Sequence, residues 1–185
     1  MKAIILAAGA TPDDNHTPWV LRKLGDKPII DYVIELARPL VQPSEMVVVI
    51  DEMSNAVAQY LGSDYTYVVQ SEPQGTGAAV LAAQRALAQY DGPILILYGD
   101  TALLQPSSIL GLVTRHRLKG AGLTLLTAET HQELPYGRVL AHRRPNCGGG
   151  RSSRCFLSRA GNPRAEHWGL CGGGGNIVAG APCCG

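Results

Sequence analysis

The segment Ala3-Ile4-Ile5-Leu6-Ala7 followed by Ala8-Gly9 opens the chain with an apolar run that ends at a glycine. With no polar alternation, it reads as a strand buried on both faces, as strands of parallel sheets are. The next segments repeat the theme. Pro28 leads into Ile29, Ile30, Tyr32, Val33, Ile34, Leu36 and Ala37, an apolar stripe of helical recurrence that Pro39 stops. Met46–Ile50 is β-branched and apolar, a second strand. Ser54 caps a short helix to about Leu61, with Gly62 as its stop. Tyr65–Val69 is a third strand, Gly77–Tyr90 an Ala- and Gln-rich helix ended by Asp91-Gly92-Pro93, and Ile94–Leu97 a fourth strand. Pro106 starts a helix to about Lys119, Gly120 ends it, and Leu123–Ala128 is a fifth strand. No internal repeat is visible. Strands alternating with helices imply right-handed crossovers and a mostly parallel, Rossmann-like sheet in a three-layer α/β/α sandwich.

Composition adds bounds. The 185 residues are 45% hydrophobic and 17% charged, with a net charge of +1. That balance argues against a nucleic-acid binder, no apolar run is long enough to span a membrane, and the N-terminal run is too short for a signal peptide. A cytoplasmic protein of one ordinary domain is expected. The average conceals a break. Residues 1–140 hold 10 Lys+Arg against 14 Asp+Glu and no Cys, whereas residues 141–185 hold six Arg, one acid (Glu166), half of the 22 Gly and all five Cys. The expected division is an α/β domain over 1–140 and a Gly/Arg/Cys-rich, irregular tail over 141–185.

In an open α/β sheet, ligands bind beyond the carboxyl ends of the strands. Three loops fall there. Leu6-Ala7-Ala8-Gly9 brings small residues and backbone N–H groups close to a phosphate or base, or is simply a tight turn. Gln70, followed by Gly75-Thr76-Gly77 at a helix start, offers an amide and free N–H groups; Thr76 as a plain N-cap is the alternative. Tyr98-Gly99-Asp100 places a carboxylate after a buried strand, where Asp100 holds Mg²⁺ or merely shapes a turn.

These loops, with Tyr136-Gly137-Arg138, Pro18-x-Val20-Leu21 and Leu24-Gly25-x-Lys27-Pro28, occur in an order that resembles the sugar-1-phosphate nucleotidyltransferases. The likeness is greatest to the uridyltransferase domains that make UDP-N-acetylglucosamine, a peptidoglycan precursor, and it covers residues 1–140. The resemblance implies that Leu6, Ala7, Ala8 and Gly9 lie against the nucleotide and that Gln70, Gly75 and Thr76 read uracil. It implies that Asp100 binds Mg²⁺ and is the catalytic residue of the site. Tyr98, Gly99 and Gly137 then lie near the acetamido sugar. The implied substrates are UTP and N-acetylglucosamine 1-phosphate; no nucleic acid or membrane enters, and the oligomeric state stays open. Molybdenum-cofactor guanylyl transfer, or nucleotide-sugar binding without chemistry, are the alternatives.

The chain departs from that pattern at its phosphates. The family's first loop carries Gly-x-Gly-Thr-Arg and, later, Pro-Lys; here Pro12 falls near the Arg position, Trp19 replaces the Lys, and Asp13 and Asp14 add negative charge. Arg22 and Lys23 occupy neither position, and His16 is a candidate donor or a solvated loop residue. Losing a partner for phosphoryl charge typically costs about 10²-fold in rate or more, so impaired activity is expected. Beyond Leu140 the family's sugar-pocket motifs are unreadable and the chain is expected to be truncated relative to it.

The tail supports three readings. Cys147, Cys155, Cys171, Cys183 and Cys184 lack any Cys-x-x-Cys pair, a weak zinc pattern. A Gly/Arg-rich tract also suits a basic arm. The third reading is a frameshift of GC-rich coding sequence, which yields Gly, Arg, Pro, Ala and Cys. Glu166-His167-Trp168-Gly169 can be written GAA CAC TGG GGN, and one base later the same DNA reads AAC ACT GGG, the family's Asn-Thr-Gly. Sequencing the encoding DNA is expected to show those codons; other codons at 166–168 would sink this reading.

Overall fold

The computed structural model describes residues 1–9, 17–52, 55–71 and 75–128, with the backbone of two further strands at 138–141 and 156–159. By its contacts the chain divides into two units, Met1–Leu110 and Gly111–Gly185. This division and the composition break at residue 140 do not coincide, because one follows packing and the other residue usage.

The first unit begins with strand β1 (Lys2–Leu6), a 3₁₀ turn at Trp19–Leu21, and a small hairpin of β2 (Lys23–Leu24) and β3 (Lys27–Pro28). Helix α1 (Ile29–Ala37), strand β4 (Met46–Asp51), helix α2 (Asn55–Leu61) and strand β5 (Thr66–Gln70) follow. Helix α3 (Thr76–Ala82), strand β6 (Ile94–Tyr98) and helix α4 (Pro106–Lys119) complete the order, with α4 carrying the chain into the second unit.

The main sheet has the order β5-β4-β1-β6 and is parallel throughout. Its path runs from β1 outward to β4 and β5, then jumps back across to β6. Right-handed crossovers place α1 and α2 on one face for the outward steps and α3 on the other for the return. Packing agrees: Ile4, Leu6, Val47 and Val49 form one cluster with Ala79, Ala83 and Leu87. The alternate residues Ala3, Ile5, Met46, Val48 and Ile50 are buried as well, so β1 and β4 are covered on both sides. This is why neither strand shows polar alternation. At β6, Leu95 and Leu97 are buried beside Ala3 and Ile5, whereas Ile96 and Tyr98 stay 36% and 49% exposed on the face that α3 covers elsewhere.

Local chemistry explains the element ends. Pro28 precedes α1 with φ −58°, and Arg38 N–H still donates to Ile34 before Pro39 stops the helix. Gly62 follows α2, and the Tyr67 hydroxyl donates to its carbonyl at 2.6 Å. Partial burial of that hydroxyl pushes the Tyr67 pKa up. Across the same helices, Tyr60 donates to Asp31 at 2.7 Å, and that bond raises the Tyr60 pKa.

The fold class expected from the sequence is the one observed. Several elements differ in extent. The helix expected over Gly77–Tyr90 is α3 to Ala82 and then a separate 3₁₀ turn at Arg85–Leu87. In the second unit, Leu123–Ala128 forms no strand, and Leu123, Leu125 and Leu126 are 42–50% exposed. Its composition favours extension, but a strand needs a partner edge for its N–H and C=O groups, and no described strand pairs with it. The second unit also holds β7 (Arg138–Ala141) paired antiparallel to β8 (Phe156–Arg159). The strand at 156–159 lies within the tail expected to be irregular, and Phe156-Leu157 supplies apolar residues that suit one. The rest of the tail, with its five cysteines, lies outside the described residues, as do Pro12, Asp13, Asp14, His16 and Ser54.

Among the described residues, no helix is long and apolar enough to cross a membrane. Ile4 sits 1% exposed in the α3-side cluster, and Ile4→Ala is expected to cost about 2–5 kcal/mol. Urea unfolding measures this, and a loss under about 1 kcal/mol would contradict the packing described.

Candidate functional site: the cleft at the strand reversal

Parallel strands end on one side, so the carboxyl ends of β1, β5 and β6 share an edge of the sheet. The order reverses between β4 on one side of β1 and β6 on the other, which opens a crevice at that edge. A cleft of about 310 Å³ lies there, at the lower end of the range for small-molecule sites.

Each sequence-derived loop contributes to it. Leu6, Ala7, Ala8 and Gly9 come from the end of β1, Gln70 from the last position of β5, Gly75 and Thr76 from the head of α3, and Tyr98 and Asp100 from the end of β6. Segments far apart in the chain thus meet because the sheet brings their strand ends together.

Backbone bonds fix the walls. Ala7 N–H donates to Val49 O at 2.8 Å, which ties the first loop to β4, and Gly99 N–H donates to Leu6 O at 2.8 Å, which ties the end of β6 to β1. After β6 the chain turns at once: Thr101 Oγ1 donates to Tyr98 O at 2.8 Å, and this turn presents the exposed Asp100 side chain to the cleft. On the opposite wall the Gln70 amide reaches Gly75 O at 3.4 Å.

The head of α3 differs from the simplest expectation. Thr76 is already the first helical residue; the N-cap is Gly75, with φ 94° and no side-chain cap. A positive φ there suits glycine and strains a residue with a Cβ, so the cap position is kept for its backbone and the Thr76 side chain remains in the cleft lining.

One assignment does not reach the described cleft lining, and another lies outside the described residues. Gly99 is buried behind that lining. A Cβ at Gly99 would come within 2.9 Å of Leu6 O and 3.1 Å of Val20 Cγ1, so the residue lets β1 and β6 approach closely at their ends. Gly137 lies outside the described residues.

Sequence reading does not assign Trp19, Val20 and Ala79 to the site, yet all three line it. Val20 is 6% exposed and anchors the 3₁₀ turn; Trp19 is 42% exposed. The available signal is position 19 itself, where the resembling family carries a lysine and this chain carries Trp19. The guanidinium carbon of Arg22 lies over the Trp19 ring, 4.4 Å from its centroid. Asp100 is the one charged side chain among the described lining residues.

Residues 3–164 match the MobA-like NTP transferase domain. The chain belongs to that family.

Among curated relatives, the bifunctional protein GlmU of Pelobacter propionicus is 39% identical over 141 residues, and that of Thermus thermophilus is 40% identical over 139 residues. Those alignments cover 75% and 74% of this chain but 30% of each relative, so the chain spans about a third of the length of the curated relatives it matches. A crystal structure of mannose-1-phosphate geranyltransferase, also from Thermus thermophilus, superposes with a TM-score of 0.55 at 16% identity, covering 85% of this chain and 48% of that one; it shows the same fold. The family match extends to residue 164, past residue 140 where the recognisable motifs stop, and so takes in the β7–β8 pair.

The Gly99 contact gives a direct test. Gly99→Ala is expected to lose about 1–3 kcal/mol of stability, because Leu6 O is backbone and cannot swing away. Unfolding measurements check it; an unchanged midpoint would show that β1 and β6 are not held together as described.

Proposed function

We propose that the cleft is the nucleotide site of a uridylyltransferase of the UDP-N-acetylglucosamine pyrophosphorylase type. In this reading the Leu6–Gly9 loop lies along the nucleotide, Gln70 with Gly75 and Thr76 reads the uracil edge, and Asp100 stands at the phosphates. An oxygen of N-acetylglucosamine 1-phosphate attacks the α-phosphorus of UTP. The new P–O bond forms as the bond to the β-phosphate oxygen breaks, and pyrophosphate leaves with that electron pair. The observation that carries the reading is the convergence of all three strand-end loops on one crevice at the reversal point.

Such a transfer depends on position and on charge neutralisation more than on proton movement. The donor set fits magnesium: a single exposed carboxylate at the strand end suits an ion that completes its shell with substrate phosphate and water. Asp100 is the residue that would hold Mg²⁺, which would supply positive charge to the phosphates. The chain itself supplies shape. Ala7 and Ala8 keep the first loop close to the sheet edge, and the Tyr98–Thr101 turn holds the carboxylate outward. The setting in this reading is the cytoplasm.

Turnover is expected to be slow. Position 19 carries an indole where the resembling enzymes carry an ammonium, and the described lining provides no cation of its own. That same observation favours a second reading, a nucleotide-sugar binding remnant without chemistry.

Titration calorimetry with UTP, GTP and UDP-N-acetylglucosamine, with and without Mg²⁺, separates the readings when paired with a pyrophosphate-release assay. Uridine-nucleotide binding with Mg²⁺-dependent release of pyrophosphate supports the transferase, and binding without release supports the remnant. A GTP preference overturns the uridine reading in favour of guanylyl transfer. Asp100→Asn is expected to erase the Mg²⁺-dependent gain in UTP affinity, about tenfold or more, while UTP binding without the metal persists.

A further inference from the structure

At one end the cleft is walled by rings. Trp19 and Tyr98 both line it, and they stay 42% and 49% exposed. The two belong to the same end, where β1 and β6 finish. Val20, next to Trp19, packs against Gly99, next to Tyr98: a Cβ on Gly99 would lie 3.1 Å from Val20 Cγ1. Leu6, Ala7 and Ala8 add apolar surface to the lining.

Trp19 is carried on a segment tied to the fold at several points. Leu21 N–H donates to Pro18 O at 2.9 Å, and Arg22 N–H donates to Trp19 O at 3.1 Å. Ile29 N–H, at the head of α1, donates to Arg22 O at 2.9 Å, and Val20 is buried. An aromatic side chain on such a support has few torsions left to lose when a ligand arrives.

Charge offers no comparable hold. Asp100 is the one charged side chain among the described lining residues, so the phosphates of a nucleotide meet no cation there. Gln70 and Thr76 belong to β5 and α3, the wall given to the base in the nucleotide reading. Affinity beyond the base then has to come from an uncharged part of the ligand. A pyranose supplies one, with polar hydroxyls around its rim and a face of C–H groups that suits an aromatic ring.

We propose that Trp19 sets the specificity of this cleft by taking the uncharged sugar ring of a nucleotide sugar, so that the site favours a nucleotide sugar over the bare nucleotide. This inference rests on the nucleotide reading above and adds the part of the ligand held at the β1–β6 end. An indole in place of an ammonium at position 19 moves affinity from the phosphates to the sugar.

Calorimetry on the full chain without added metal compares UDP with UDP-N-acetylglucosamine. Wild-type protein is expected to bind the nucleotide sugar about tenfold more tightly, and to keep that preference at high salt, which screens the difference in charge between the probes. Trp19→Ala is expected to remove most of the preference and to leave UDP affinity within about twofold; the retained UDP binding also shows that the variant is folded. Trp19→Phe, which keeps an aromatic face, is expected to keep most of the preference. Trp19→Lys is expected to lose it while UDP binding tightens and becomes salt-sensitive. The chain has two tryptophans, so Trp168→Phe leaves Trp19 as the sole indole, and its emission is expected to change more with the nucleotide sugar than with UDP. Equal affinity of wild-type protein for the two probes, or a preference that survives in Trp19→Ala, would overturn the role of Trp19 and leave the nucleotide cleft intact. An equal loss of both probes in Trp19→Ala would overturn it too, since the effect would not be on the sugar. If wild-type protein bound neither probe, the nucleotide reading would fall and this inference with it.

Discussion

Everything in the first unit depends on how closely the ends of β1 and β6 approach. Parallel neighbours normally leave room for a side chain at each position, but at the end of this pair the Gly99 backbone sits against Leu6 with no space for a methyl group. The hydrogen bond from Gly99 to Leu6 O extends the pairing one residue past the strand and then lets the chain turn. The Leu6–Gly9 loop and the Tyr98–Thr101 turn are thereby brought to one rim. A crevice arises in any sheet whose strand order reverses; the glycine determines how tightly its two lips are drawn together.

Much of this is legible from the residues. Fully apolar runs at Ala3–Ala7 and Met46–Ile50 mark strands covered on both faces, and their burial is complete. Helix limits set by Pro28, Pro39, Gly62 and Gly120 are readable because those residues act through their own backbone and need no distant partner. The misreadings have the opposite character. Leu123–Ala128 has the composition of a strand, yet strand formation is decided by an available edge elsewhere in the fold. The helix after Thr76 breaks at Ala83 although nothing in Ala82-Ala83-Gln84 forbids continuation, and the structure offers no local reason for it. The β2–β3 hairpin escapes sequence reading because its strands are two residues long, too short to show any period.

The site is legible to a similar degree. Motif spacing locates the loops, because loops at strand ends are placed by the sheet, and the sheet is visible in the sequence. Motif reading puts Gly99 near the sugar, and the structure adds a close approach to Leu6 and Val20: a glycine in a motif signals a close approach, but sequence does not say whether to a ligand, to the protein itself or to both. Trp19 reads as a loss of charge, which it is at its own position. That the next turn of chain lays a guanidinium over its ring depends on the 3₁₀ turn and on the buried Val20, and neither has a sequence signature as strong as a glycine motif.

The strand order also imposes a schedule on synthesis. β1 is the first strand to be made and lies second from one end of the sheet, between β4 and β6. Lys2 finds its partner on one side only when Ile94 has been added, and at typical elongation rates that is on the order of ten seconds later. Until then one edge of a strand made of Ala, Ile and Leu stays open, and closing the loop between its halves carries the entropic cost of a long-range pairing. The nascent chain thus holds its future binding rim half-built until β6 has been added, and the crevice exists only after the last of the four strands has emerged.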